Sequence, residues 1–280
     1  MATYVISDIH GNLRALQALL VDIDFKYDGS DKLCLLGDYV DWGPDSIATV
    51  EFVMNLSELP FVKCIMGNHD LMFLDEIERE RHHNSTGDPN WMFNNRGMDT
   101  WVQYLDLPAE RQEKMYKWLS KLPYGIQIRV NKKWYLLCHA GPYLPQKKKE
   151  VDESVLSHDK LYAVWHRIQD ENEKPLDGLY ARYPHFKGKQ REFEAFICGH
   201  TINSFYRKPA PDEPLSIFKG PNFINIDCGA KCMSLVPGRE YMPPSVIKAS
   251  RLAALRLDDM AEFYCDRDRA GYTAMQEYVI

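Results

Sequence analysis

The sequence predicts a mixed α/β fold, with a parallel-sheet first half and a strand-rich second half. Three observations carry that expectation. Short apolar runs alternate with helical-period segments over roughly the first seventy residues. Beyond about residue 122 the apolar runs become short and closely spaced. Clusters of Asp, His, Asn and Gly close one strand-like run after another.

The run "TYVIS" is β-rich, and "NLRALQALLVDI" carries apolar residues at helical spacing, with Asn12 placed to cap it. "DKLCLLG" is a second buried strand. "DSIATVEFVMNLSEL" follows Pro44 as a helix capped by Asp45 or Ser46. "FVKCIMG" is a third strand and "HDLMFLDEIERERHH" a third helix, giving a β-α-β-α-β-α order and helical crossovers between parallel strands. The chain then reads helical to about residue 122, with "WVQYLDL" and "ERQEKMYKWLSKL" on either side of Pro108. "YGIQIRV", "NKK" and "WYLLCHAG" form a hairpin, and "DESVLSHDKLYAVWHRIQD" is a helix. Residues 170–191 and 207–221, rich in Pro, Gly and charge, read as loops. "EAFICGHT", "NFINIDCGA", "MSLV", "SVIKASRLAALRL" and "MAEFYCD" are strand candidates, and "KKKE" at 147–150 is a solvated loop. With no repeat or linker in sight, one domain over residues 1–280 is expected, the strand-rich 240–280 segment included.

At 280 residues, 45% hydrophobic and 26% charged, the chain has the make-up of a globular protein with a sizeable core. Its net charge of −6 argues against a nucleic-acid polymer or an anionic membrane as partner. No apolar run approaches the roughly 18 residues of a membrane span. "MATYVISDIHGN" lacks the basic and apolar regions of a secretory signal. The odd count of seven cysteines, several within apolar runs, reads as buried thiols of a reducing cytoplasm.

The strand-end clusters are Asp8 and His10; Asp38 and Asp41; Asn68, His69 and Asp70; His139; and His200, with Asp227 a further candidate outside these five. Singly, each has an ordinary explanation: a turn or cap acid, or a structural histidine. Together they do not, because five separate strand-like runs end in carboxylate, imidazole or amide ligands suited to Mn, Fe or Zn. There are more ligands than one ion needs, which points to two ions sharing a bridging carboxylate. Two ions about 3.5–4 Å apart can activate water and hold both the attacking and leaving oxygens of a phosphoryl centre.

In that order, "SDIHG", "GDYVDWG", "GNHD", "CHAG" and "GHT" resemble the motifs of the calcineurin-like metallophosphoesterases. The nearest branch is the phosphoprotein-phosphatase type, with its GDxHG, GDxVDRG and GNHE pattern. That branch includes bacterial and phage serine/threonine phosphatases and symmetrical diadenosine tetraphosphate hydrolases. The resemblance runs from residue 4 to about 230 and implies a four-layer fold, a central β-sandwich flanked by helices. It implies that Asp8 and His10 bind one ion, that Asp38 bridges two, and that Asn68, His139 and His200 complete the second. The cofactors implied are two divalent ions, Mn first, with Fe, Zn or Mg as alternatives. His69 would be the general acid, oriented by Asp41, and the nucleophile a metal-bound hydroxide.

The departures from the family pattern are informative. Ile202 stands where many other metallophosphoesterases have a second histidine, which favours the phosphatase branch over nucleases and phosphodiesterases. Trp42 replaces the arginine that follows the second aspartate, and offers instead a flat surface for a nucleobase or a substrate aromatic. Related bacterial and phage enzymes supply another arginine from a W-x-R segment on a helix. "VWHRIQD" therefore assigns Arg167 as a phosphate clamp, with Arg96 in "NNRG" a weaker candidate. His166 reads as structural or exposed, and His82 and His83 fall outside the site.

The resemblance thus implies hydrolysis of phosphomonoesters, first as a bacterial-type serine/threonine protein phosphatase. The partner would be a phosphorylated protein or a small phosphoester. "GNHD" in place of GNHE, together with Trp42, supports the alternative of a symmetrical dinucleoside tetraphosphatase or other nucleotide-directed hydrolase. A non-catalytic phospho-binding module is a third reading, opposed by the intact ligand set.

Overall fold

Alternation along the strands sorts the apolar side chains into three cores, and three cores require four layers. The structure, a computed structural model, describes residues 1–83, 87–144, 153–184, 192–210, 213–237 and 242–272. Strands β1 (Thr3–Ile6), β2 (Lys32–Leu35) and β3 (Val62–Cys64) are joined by helices α1 (Leu13–Asp22) and α2 (Ser46–Ser57). Helices α3 (Asn68–Arg81), α4 (Gly97–Leu105) and α5 (Ala109–Leu119) follow. Next come β4 (Gly125–Val130), β5 (Lys133–Cys138), α6 (Glu153–Trp165), α7 (Pro175–Arg182) and β6 (Phe193–Cys198). The chain continues with β7 (Phe218–Lys219), β8 (Phe223–Asn225), α8 (Pro244–Ala249), β9 (Arg251–Arg256) and β10 (Ala261–Asp266).

Among the described residues these strands make two sheets, ordered β10-β9-β1-β2-β3 and β4-β5-β6-β8-β7. The β1, β2 and β3 strands are parallel, as are β5, β6 and β8. The remaining pairings are antiparallel. In β1, Tyr4 and Ile6 pack with Leu16 and Leu19 of α1 and Val50 of α2. Val5, pointing the other way, joins Leu137 of β5 and Ile197 of β6 between the two sheets. Leu136 and Phe196 face outward from the second sheet onto Leu176 and Leu179 of α7. Each fully buried aliphatic side chain contributes about 1.5–3 kcal/mol of transfer free energy. The result is a β-sandwich flanked by helices on both outer faces, in accord with the expected layering.

Several local expectations need correction. Asn12 and Asp45 occupy the positions just before α1 and α2, yet neither side chain caps its helix. Asn12 Nδ2 donates instead to the carbonyls of Ile9, His10 and Ala230, pinning the first strand exit to the last one. Helix α6 ends at Trp165, so Arg167 lies beyond it. The 170–191 stretch contains α7 and the 207–221 stretch contains β7. "MSLV" is not a strand: it continues from a 3₁₀ turn into bends. "SVIKA" is helical, and only the residues after Ser250 are extended. The "KKKE" run and the ends of the 170–191 and 240–280 stretches lie outside the described residues. Because β9 pairs with β1, the C-terminal strands complete the sheet that the N-terminus begins.

Candidate metal centre

Six parallel strands deliver their carboxyl ends to one place. Asp8 and His10 follow β1, Asp38 and Asp41 follow β2, and Asn68 and His69 open α3 after β3. His139 follows β5, His200 follows β6 and Asp227 follows β8. Backbone bonds lace the exits together. His10 N–H donates to the Asp38 carbonyl at 2.8 Å, and Gly199 N–H to the His139 carbonyl at 2.9 Å. His200 N–H reaches across the sandwich to the Asp8 carboxylate at 3.0 and 3.1 Å. The exits turn sharply: Asp8, His10, Asp38, Asp41, Trp42 and His200 all have left-handed φ, between 49° and 71°. Such φ values are uncommon outside glycine and cluster at functional sites. Two glycines permit the crossing. Gly37, at φ 89°, has no room for a Cβ against the Gly67 backbone, and Gly43 has none against the His10 carbonyl.

The candidate ligand atoms face one another. His10 Nε2 lies 3.3 Å from Asp38 Oδ2 and 4.0 Å from Asp8 Oδ1. His139 Nε2 lies 3.4 Å from Asp38 Oδ2 and 3.0 Å from Asn68 Oδ1, while His200 Nδ1 is 2.8 Å from the same Asn68 oxygen. His10 and His139 each direct Nδ1 to a backbone carbonyl, of Val40 at 3.0 Å and Leu36 at 2.8 Å. In the neutral imidazole, the form that binds a metal, that bond assigns the proton to Nδ1 and leaves a bare Nε2 lone pair aimed at carboxylate and amide oxygens. Lone pairs converging on lone pairs are repulsive unless a cation lies between them. Asp38 belongs to both of the potential ligand groups, His10–Asp38–His69 and Asp38–His139–His200. The donor set of carboxylate, imidazole and amide oxygen therefore fits two divalent ions sharing Asp38.

The electrostatics point the same way. Burial pushes the Asp8 carboxyl well up, and the neighbouring Asp227 adds to it. Burial would raise Asp38 too, but the imidazoles of His139, His69 and His10 hold it well below the usual carboxylate range. His139 is opposed by burial yet raised to about 10, chiefly by Asp38. Burial drives His200 down, with His139 and Arg167 adding to the effect.

Beside this cluster stands a dyad. His69 Nδ1 is 2.6 Å from Asp41 Oδ2, and its ring meets that of His10 edge-on at 4.7 Å. Two residues that sequence reasoning missed hold Asp41. Trp91 Nε1 donates to Oδ2 at 2.8 Å, and Thr100 Oγ1 donates to Oδ1 at 2.6 Å. They lie 50 and 59 residues away in the chain, on the turn before α4 and on α4 itself, and nothing in a single sequence marks them. Asp70, the residue that distinguishes "GNHD" from GNHE, is a brace. Its carboxylate accepts from the backbone N–H of Asp38 at 2.7 Å, Tyr39 at 2.8 Å and Gly67 at 3.0 Å. Burial and the charge of Asp38 push it up to about 7.

The profile of one family, the calcineurin-like phosphoesterases, matches residues 1–204. The chain belongs to that family. It is 33% identical over 196 residues to a symmetrical bis(5'-nucleosyl)-tetraphosphatase of Pseudomonas fluorescens, an overlap of 66% of this chain and 57% of that protein. It is 30% identical over 191 residues to the Pseudomonas syringae pv. syringae protein of the same description, covering 66% and 55%. The chain thus spans about half the length of the curated relatives it matches. Among solved structures, a cold-active protein-tyrosine phosphatase of a Shewanella species superposes with a TM-score of 0.52 at 16% identity, over 94% of this chain and 80% of that one. At that identity the likeness is one of fold.

Cationic side chains also stand near this cluster. Arg167, though outside α6, lies at the rim: its Nη1 donates to the His200 carbonyl at 3.4 Å and to Thr201 Oγ1 at 3.3 Å. Trp42 is only 8% exposed, so little of the flat face expected of it is open. Its ring instead has the Arg96 guanidinium 5.3 Å and the Lys231 ammonium 5.5 Å from its centroid. The exposed indole near the centre is Trp165, at 41%, set edge-on to His200 at 6.3 Å. His166 stacks on Tyr162 at 4.3 Å and faces Glu173, while His82 and His83 are exposed at the end of α3.

Proposed function

We propose that this phosphoesterase hydrolyses a nucleotide polyphosphate of the symmetrical dinucleoside tetraphosphate class, cleaving it into two nucleoside diphosphates. The observation that carries the chemistry is the convergence of Asp8, His10, Asp38, Asn68, His139 and His200 with their lone pairs facing inward. Two divalent ions, Mn in our reading, would be held by Asp8, His10 and Asp38 and by Asp38, Asn68, His139 and His200, supplying water activation and charge at the phosphoryl group. His69 carries the proton for the leaving oxygen on Nε2, the nitrogen not bonded to Asp41. Asp41, itself held by Trp91 and Thr100, fixes the direction of that imidazole. Arg167 at the His200 rim offers a planar fork to the phosphate oxygens.

The sequence motifs alone favour a serine/threonine protein phosphatase. The curated relatives support the nucleotide reading ahead of it, and so does the exposed Trp165 beside His200, an indole available to a base. The seven buried, unpaired cysteines support a reducing cytoplasm, and the β9–β1 pairing supports one domain across residues 1–280. Among the described residues no helix is long and apolar enough to cross a membrane. The test is a hydrolysis panel with Mn-supplemented protein on diadenosine tetraphosphate, a phosphoserine peptide and nucleoside monophosphates. The reading expects conversion of the tetraphosphate to ADP alone at the highest kcat/KM. Turnover of the phosphopeptide without tetraphosphate cleavage would return the protein-phosphatase reading to first place.

A further inference from the structure

We infer that Arg96 and Lys231, gathered on the ring of Trp42, form a second anion subsite that takes the phosphates flanking the one under attack. This rests on the polyphosphate reading above and deepens it. Three observations lead there. First, two cations from distant parts of the chain share one aromatic ring: Arg96 comes from the turn before α4 and Lys231 from the 3₁₀ turn at Ala230–Cys232 after β8. Each is attracted to the ring face, so two positive charges are held close to one buried ring, where a chain of phosphates can meet them. Second, Trp42 is a rigid post. It is buried in the inter-sheet core, its carbonyl accepts from Ser234 Oγ at 3.3 Å, and its backbone is held in the left-handed region between Asp41 and Gly43. Both cations are half-buried beside it rather than free in solvent.

Third, the ring adjoins the chemistry. Trp42 follows directly on Asp41, which holds His69, and Gly43 N–H donates to the His10 carbonyl at 2.9 Å. Lys231 is tied to the same place: Asn12 Nδ2 donates to the carbonyls of both His10 and Ala230, the residue just before Lys231. Cations set beside a site built for two divalent ions add to an already positive field. A single phosphate group is met by the metal ligands and Arg167, on the His200 side. A chain of four phosphates extends past that point, and the Trp42 side offers it two more positive contacts. Tryptophan at position 42 thus takes away one side-chain cation and positions two others.

The test uses Mn-loaded protein and two inert probes, tripolyphosphate and orthophosphate, titrated calorimetrically at low salt. Arg96→Gln and Lys231→Gln keep the side-chain stems and remove the charges. The double variant is expected to lose about tenfold or more in tripolyphosphate affinity, with orthophosphate affinity and bound-metal content within about twofold of the parent. Arg96→Lys with Lys231→Arg, which restores both charges, is expected to recover most of the loss. Unchanged tripolyphosphate binding, or equal losses for both probes, would overturn the subsite. The two readings fail separately. A parent protein that binds tripolyphosphate through these residues yet leaves diadenosine tetraphosphate intact would sink the substrate assignment only. A parent that cleaves the tetraphosphate, with a double variant of unchanged KM, would sink the subsite only.

Discussion

Thr100→Val is the most economical probe of the Asp41–His69 pair, because it changes one donor and almost no volume. Asp41 is fully buried, and Thr100 Oγ1 is the donor to its Oδ1, at 2.6 Å. Trp91 and His69 both address the other oxygen. Valine leaves Oδ1 facing a methyl group in a place closed to water. An unmet buried acceptor costs about 1–3 kcal/mol, more when the acceptor is charged. Ser46 Oγ loses its 2.9 Å contact with Thr100 but keeps the Asp41 N–H, so it adds little. A loss of about 2 kcal/mol corresponds to a fall in Tm of roughly 4–8 °C for a chain of this size. The same change has a kinetic signature. Burial already raises the Asp41 carboxyl, and the His69, Thr100 and Trp91 donors pull it back. Removing one of them raises it further, so Asp41 takes up its proton at a higher pH as acidity increases. The acid limb of the kcat profile is then expected to move to higher pH with an alkyl phosphate substrate, whose leaving oxygen needs a proton. It is expected to stay in place with p-nitrophenyl phosphate. Urea unfolding and the two pH profiles together decide the matter. Unchanged stability with unchanged profiles, or the same shift on both substrates, would refute the reasoning.

Asp38→Asn is expected to abolish hydrolysis and to lower the occupancy of both metals by elemental analysis, since both ligand groups include it; two retained ions with full activity would end the bridging assignment. His69→Asn is expected to slow poor leaving groups at least about tenfold more than p-nitrophenyl phosphate, measured as a ratio of kcat values. Trp165→Ala is expected to raise KM for diadenosine tetraphosphate several-fold, in line with about 1 kcal/mol or more for base stacking, and to leave KM for p-nitrophenyl phosphate alone. Burial raises Cys34, Cys64, Cys138 and Cys265 to about 12 each and Cys232 to about 11. Little thiolate exists at pH 8, so Ellman's reagent is expected to titrate none of the seven cysteines quickly in folded protein and all of them in urea.

The strand exits were legible because each couples two local signals, a buried apolar run and a polar turn with glycine. Asp8, His10, Asp38, Asn68, His69, His139 and His200 could be gathered for that reason, and the structure brings them within reach of one another. What could not be read were contacts set by tertiary packing alone. Trp91 and Thr100 reach Asp41 only because α4 packs across α2. Lys231 looked like any turn lysine until the sandwich closed over Trp42. "SVIKASRLAALRL" is apolar throughout, and periodicity cannot separate helix from strand in such a run. Its boundary is Ser250, where ψ swings to 139°. Arg167 is marked by its motif, while the end of α6 two residues earlier carries no breaker in the sequence.

The left-handed backbone at Asp8, His10, Asp38, Asp41, Trp42 and His200 has a consequence for the life of the protein in a cell. Each such residue costs about 1 kcal/mol or more, and the facing lone pairs add to that. A domain's whole margin against unfolding is only about 5–15 kcal/mol. Bound ions stabilise the native state alone, by mass action. On the proposed two-ion reading, metal supply therefore sets how long the chain survives as well as whether it works. Under metal scarcity the apoprotein opens more often and is exposed to proteases, so its abundance would follow the metal pool without any dedicated regulator.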